Sequence, residues 1–187
     1  MQEEQSKAAE SGRQRRSRRE RGNLLGYVLA DVLKASLALM LLQGFVFHFS
    51  VVRGRSMEPN IADGDRLLVD RVSYALGDVQ RFDVVILASP EDPGVDYVKR
   101  VVGLPGDRVD LIGGRVRING EYLEPGLSTV PDPEAFGTWK VPEQHYFVLG
   151  DNRPVSSDSR EGWFVPMSQL RGKVQFCIWP LSHVGSL

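Results

Sequence analysis

Arg108-Val109-Asp110-Leu111-Ile112-Gly113-Gly114-Arg115-Val116-Arg117-Ile118-Asn119-Gly120 decides the fold class. Two short β-branched runs flank a Gly-Gly pair, a strong hairpin signal, and Asn119-Gly120 marks a second turn. The same punctuation continues outward. Leu67-Leu68-Val69 and Asp83 to Leu87 are short apolar runs bounded by Gly64-Asp65, Gly77-Asp78 and Pro90. Tyr97 to Val102, Tyr146 to Leu149 and Lys173 to Trp179 are further strand candidates. Residues 124–140 are rich in Pro and Gly and read as an irregular loop, and only Met167 to Leu170 hints at a helical turn. No internal repeat is visible. The expectation is an all-β domain of short antiparallel strands over residues 53–187.

The chain has 187 residues, 42% hydrophobic and 25% charged, enough for one folded domain with a core. A net charge of −1 gives no field that calls for a nucleic-acid partner. The charge is uneven. Residues 1–23 carry seven basic and four acidic side chains, a balance of +3 that leaves −4 on the rest. They read as a flexible tail. Cys177 is the single cysteine, so no intrachain disulfide holds the fold. Between Phe176 and Ile178 it reads as a buried strand residue rather than a nucleophile.

Residues 24–52 are strongly apolar, interrupted by Asp31, Lys34, Gln43 and His48. About 20 helical residues cross the roughly 30 Å hydrocarbon layer. Leu33 to Val52 suffices if Asp31 and Lys34 lie at the inner interface, three apart and able to pair. The basic residues before the span place the N-terminus in the cytoplasm. A cleaved signal peptide is the rival, but the run ends Phe47-His48-Phe49-Ser50-Val51-Val52, bulky where a cleavage site needs small residues. The expectation is a retained transmembrane anchor with the domain on the extracytoplasmic face. Four extended residues reach only about 13–14 Å, so Ser56 is expected close to the outer leaflet.

Ser56 lies in Gly54-Arg55-Ser56-Met57-Glu58-Pro59, directly after the apolar run. A serine needs a proton acceptor before it becomes a useful nucleophile. His48, His145 and His183 stand in no setting that favours a Ser-His-Asp triad, and no Cys/His cluster has metal-ligand spacing, so no cofactor is expected. Lys99 is the better base. In an extended strand it shares a face with Tyr97 and Val101, while Arg100 shares the other with Val98 and Val102. Desolvation disfavours the charged amine, and a useful neutral fraction at neutral pH requires its pKa to fall by roughly 2–3, about 3–4 kcal/mol. The alternative is a strand lysine whose stem packs while its head reaches water. Gly150-Asp151-Asn152-Arg153 follows a strand candidate, with Ser156, Asp158, Ser159 and Arg160 behind it. Ser156 is a candidate acceptor for a buried amine, and Asp158 with Arg160 a brace; the plain alternative is a polar surface loop.

Taken together, Ser-Met-x-Pro at Ser56, Lys-Arg-Val-x-Gly-x-Pro-Gly-Asp at Lys99 and Gly-Asp-Asn-x-x-x-Ser-x-Asp-Ser-Arg at Gly150 resemble the motifs of the type I signal peptidases, in order behind an apolar N-terminal run. Gly64 to Val69 resembles a further stretch of that family. The resemblance runs from about Leu24 to the end. It implies a signal-peptidase-like β-fold behind one N-terminal transmembrane helix. It implies a membrane-bound serine endopeptidase with Ser56 as nucleophile and Lys99 as general base. Ser156 would orient Lys99, and Asp158 and Arg160 would be structural supports. The Ser56 N–H would hold the oxyanion; the second serine donor of some members is absent, because Gly54 stands there. The implied partners are the lipid bilayer and preprotein signal peptides with small residues before the cut. The short connection between Lys99 and Gly150 leaves little or no room for the extra β-domain that other members insert.

Other classes compete with this. Self-cleaving Ser/Lys repressor proteins are soluble and carry an Ala-Gly or Cys-Gly pair ahead of the serine, which is missing here. A membrane-anchored β binding domain has no need for Ser56, Lys99 and Ser156 together. A processing peptidase dedicated to one substrate, such as a pilin, stays open.

Overall fold

Strands that alternate buried and exposed residues close into two antiparallel sheets in the computed structural model, which describes residues 27–40, 44, 46–92, 94–123 and 128–186. The chain divides into two compact units, Met1–Phe45 and Val46–Leu187. The expected basic tail, residues 1–23, lies outside the described residues.

In the first unit, residues 27–40 form helix α1. Lys34 Nζ donates to Asp31 Oδ1 at 3.1 Å, the expected pair one turn apart. Tyr27, Leu29, Leu33, Leu37 and Met40 are exposed along it. Among the described residues, no helix is long and apolar enough to cross a membrane.

The second unit begins with a correction. The span was expected to run to Val52, but Phe47–Val51 is strand β1. Phe47, Phe49 and Val51 alternate with His48 and Ser50, the two-residue period of a strand. β1 pairs with β2, Arg66–Asp70, in the register Phe47↔Asp70 to Val51↔Arg66. The helical part of the apolar run therefore ends before Phe47, and a strand and a turn separate it from Ser56.

The larger sheet continues with β3 (Val84–Ala88), β4 (Asp96–Gly103), β9 (His145–Leu149), β10 (Val165–Pro166) and β11 (Leu170–Trp179), in the order β1-β2-β11-β3-β4-β9-β10, with β12 (Gly185–Ser186) pairing β11. β3 is buried along its whole length because both faces are covered. Val84 and Ile86 join Met57, Ile61, Leu67 and Cys177 in one apolar cluster, while Val85 and Leu87 join Val101, Tyr146 and Val148 in another. Cys177 is fully buried, as its apolar neighbours predict.

The smaller sheet, β7-β6-β5-β8, is built from β5 (Arg108–Ile112), β6 (Arg115–Ile118), β7 (Glu121–Tyr122) and β8 (Gly137–Lys140). The hairpin forms as expected: Gly113 and Gly114 take φ of 58° and 76°, which only glycine adopts without strain. β8 corrects the loop expected over residues 124–140. Its Gly137-Thr138-Trp139-Lys140 segment pairs β5, and Trp139 packs 5.1 Å from the Phe147 ring of the larger sheet. The helical turn expected at Met167 to Leu170 is a 3₁₀ turn over Met167–Gln169. Helix α2 (Ser73–Leu76) and 3₁₀ turns at Arg153–Val155 and Ser159–Glu161 carry no comparable sequence signal, being only one turn long. The connection from Lys99 to Gly150 is accounted for by the rest of β4, the small sheet, its loops and β9.

Candidate active site

Ser56 sits in a turn whose neighbours are plugs. Met57 and Ile61 are buried in the first apolar cluster and tie down the segment beyond the serine, and the Ile61 N–H donates to the Met57 carbonyl at 3.0 Å. The base of the loop is closed by Val52 N–H to Asp65 O at 2.9 Å and Gly64 N–H to Val52 O at 3.0 Å. The Ser56 carbonyl accepts the Asn152 N–H at 2.9 Å, which joins the serine turn to the turn after β9.

Lys99 comes from the middle of β4, opposite Val85 of β3. It is 3% exposed, and its Nζ donates to Ser56 Oγ at 2.9 Å. The same ammonium lies 5.1 Å from the centre of the Tyr97 ring, on the face that strand alternation assigns to Tyr97. Burial pulls the Lys99 pKa down to about 8, although Asp158 and Glu161 act the other way. The lysine head is therefore buried within the site rather than extended to the outer surface, as a snorkelling side chain would be. Both residues line a cleft of about 530 Å³ with Val52, Met57, Ile86 and Val98.

The third stretch folds against the first two. Arg153 Nε donates to Gly150 O at 2.9 Å. Asp158 accepts the Gly150 N–H at 3.1 Å and Arg160 Nε at 2.8 Å. Arg160 also reaches the carbonyls of Arg153 and Ser156 and the carboxylate of Asp132. The expected Asp158–Arg160 pair thus exists, and it spans the whole turn. Ser156 is placed differently from its expected position. Its Oγ lies 3.5 Å from the Ser157 carbonyl, and no hydrogen bond joins it to Lys99. It packs beside Gly150, where an added Cβ would collide with Ser156 Oγ and the Ser56 carbonyl.

The Ser56 N–H has no protein acceptor among the described residues. Gly54, with φ of 105°, donates its own N–H to Asp63 Oδ1 at 2.8 Å. A serine at that position would be strained in this backbone conformation. None of the three histidines is hydrogen-bonded to Ser56: His145 Nδ1 meets Glu143 O, His183 Nδ1 meets Asp65, and His48 lies on β1 with its buried Nδ1 unpartnered among the described residues.

Sequence reasoning missed one constellation. Arg100 forms a two-pronged pair with Asp151, Nε to Oδ1 at 2.9 Å and Nη2 to Oδ2 at 2.8 Å. Asn60 adds a third donor to that carboxylate at 2.8 Å. Both charged residues stood inside quoted motifs, but their partnership spans 51 positions and had no local signal.

Comparison with known proteins gives a consistent result. Residues 25–179 match the family model described as signal peptidase, peptidase S26. The chain is 37% identical over 182 residues to a signal peptidase I of Bacillus caldolyticus, covering 90% of this chain and 96% of that one. It is 37% identical over 149 residues to a probable signal peptidase I-2 of a Synechocystis strain, covering 76% and 68%. It is 33% identical over 173 residues to signal peptidase IB of Staphylococcus aureus, covering 83% and 90%.

Proposed function

The chain belongs to the signal peptidase family, peptidase S26, and is a serine endopeptidase; we propose that it removes N-terminal signal peptides from exported preproteins through a Ser56/Lys99 dyad. The observation that carries this is the 2.9 Å contact between Ser56 Oγ and a buried lysine whose nearest polar partner is a hydroxyl rather than a carboxylate. Once Lys99 has lost its proton, the contact reverses and the Ser56 hydroxyl donates to the amine. Ser56 Oγ then attacks the scissile carbonyl as its proton moves to Lys99. The oxyanion forms beside the free Ser56 N–H. The Lys99 ammonium returns the proton to the leaving amine, leaving an ester on Ser56. Water, giving a proton to the neutral Lys99, attacks that ester; the Lys99 ammonium then returns the proton to Ser56 Oγ as the C–O bond breaks and the signal peptide carboxylate leaves.

Asp158 and Arg160 hold the Gly150–Ser156 turn, and Ser156 and the Ser56 carbonyl both abut Gly150, so these residues position the dyad rather than touch substrate. The cleft beside Ser56, with Val52, Met57, Ile86 and Val98 among its walls, is read as the seat of the small side chains before the cut, as in Ala-x-Ala substrates. The proposed anchor is the apolar run up to residue 46, with the basic tail cytoplasmic and the catalytic domain on the outer face of the plasma membrane. The exposed Leu29, Leu33, Leu37 and Met40 of α1 support that placement, with the Asp31–Lys34 pair near its start, where the inner interface is expected.

The test is cleavage of a preprotein carrying an Ala-x-Ala site by the detergent-solubilised full chain, with Ser56→Ala alongside. Cleavage after the second Ala, lost in the variant, is expected. A folded wild-type protein that leaves the substrate intact, or a variant as fast as wild type, would overturn it.

A further inference from the structure

On the Arg100 side of β4 lies a second cavity, about 420 Å³, bounded by the Asp151–Arg153 turn and the small sheet. It contains neither Ser56 nor Lys99. Phe82, Val102, Val116 and Leu123 give it apolar walls, and a volume of this order suits a small organic ligand.

Its charged wall is unbalanced. Among the described residues, Arg100, Arg115 and Arg153 line it against one carboxylate, Asp151. Arg100 and Asp151 satisfy each other through two hydrogen bonds. Arg153 is different. It is 8% exposed, its Nε is used by the Gly150 carbonyl, and its two Nη groups have no protein acceptor among the described residues. A guanidinium stays charged even when buried. Burial pulls the Arg153 pKa below the usual arginine range, with Asp158 and Asp151 opposing it. A largely buried cation whose Nη donors have no protein acceptor among the described residues, in a cavity with apolar walls, suits an anion that accepts both prongs.

We propose that this cavity binds a small monocarboxylate with an apolar body, the carboxylate seated on the Arg153 fork and the body against Phe82, Val116 and Leu123. One planar fork matches the two oxygens of one carboxylate. The Asp151 carboxylate lining the same space disfavours a dianion such as phosphate.

The experiment is a ¹⁹F NMR titration of the detergent-solubilised full chain with 4-fluorobenzoate, beside 4-fluorobenzamide, which has the same shape and no charge, and inorganic phosphate. Saturable binding of the benzoate is expected, unchanged by Ser56→Ala. It should weaken at least about tenfold with Arg153→Gln, the scale of a charge-assisted pair, and the benzamide should be weaker by a similar factor. Leu123→Trp, which fills the cavity from a half-buried wall and leaves the fork intact, should weaken it likewise. It decides the matter alone if Arg153→Gln does not fold. The proposal is overturned by an absence of saturable binding, by benzamide or phosphate binding as tightly as benzoate, by full binding to a folded variant of either kind, or by displacement with a signal-peptide substrate. Binding is read without cleavage, so its failure is distinct from a failure of the peptidase assignment.

Discussion

Lys99 and Arg100 are neighbours on β4, each 3% exposed, and they point to opposite faces. Arg100 meets a carboxylate at 2.8 and 2.9 Å and is a fixed positive charge. Lys99 meets a hydroxyl at 2.9 Å, and its pKa falls to about 8. Equal burial thus gives a structural cation on one face and a titratable base on the other. The difference lies in the partner: a carboxylate in direct contact compensates desolvation, whereas Asp158 acts on Lys99 only at a distance.

The largest effects test the titratable face. Ser56→Ala and Lys99→Arg should each lower the cleavage rate by on the order of 10⁴-fold or more, since arginine keeps the charge but cannot act as a base. A Lys99→Arg rate within tenfold of wild type would erase the distinction between the two faces. In the wild type, kcat/KM should rise with pH through about 8 as Lys99 loses its proton. A profile flat from pH 6 to 9 would contradict this.

Stability should respond with opposite signs on the two faces. Arg100→Met leaves the Asp151 carboxylate buried without its cation and should destabilise by about 3–5 kcal/mol. Lys99→Met removes an amine that is penalised when charged and should stabilise by about 3 kcal/mol at pH 7. The sign follows from the folded pKa of about 8 lying below the ordinary 10.5. The unfolded chain binds the extra proton between these values, so the penalty is full below pH 8 and fades as pH rises towards 10.5. Denaturant midpoints of the two variants, measured in the same detergent, check both claims. Two losses of equal size would show that Lys99 is as well compensated as Arg100.

Smaller effects sharpen the picture at the junction of the two faces. Gly150→Ala pushes on Ser156 and the Ser56 carbonyl and should slow cleavage by on the order of 10²-fold through misplacement of the nucleophile. Ser156→Ala removes a hydroxyl that is not bonded to Lys99 and should cost no more than about tenfold, the range of one ordinary hydrogen bond. A much larger loss, with a displaced pH profile, would mean that Ser156 orients the amine during the reaction.

The β-class of the domain was legible because its strands are short, β-branched and framed by turns with local chemistry, as at Gly113-Gly114 and Asn119-Gly120. Ser56, Lys99 and the Asp158–Arg160 pair were legible because each stands in a motif that reads without tertiary information. β8 was not, since its alternation is hidden in a Pro-rich segment. The end of the apolar run was misplaced because residues 47–52 are hydrophobic enough for a membrane and alternate like a strand. Pairing with β2 chose the second.

The sequence by itself determined the class of fold, the candidate nucleophile and base, and the side of β4 on which each lysine or arginine would lie, because strand alternation is a local property of the backbone. Only the tertiary structure decided that Lys99 reaches Ser56 across 43 positions, that Arg100 closes on Asp151 across 51, and that Ser156 packs against Gly150 rather than bonding the amine. Those outcomes depend on which buried groups meet, and burial and partnership are set by the assembled sheets, not by neighbours in the chain.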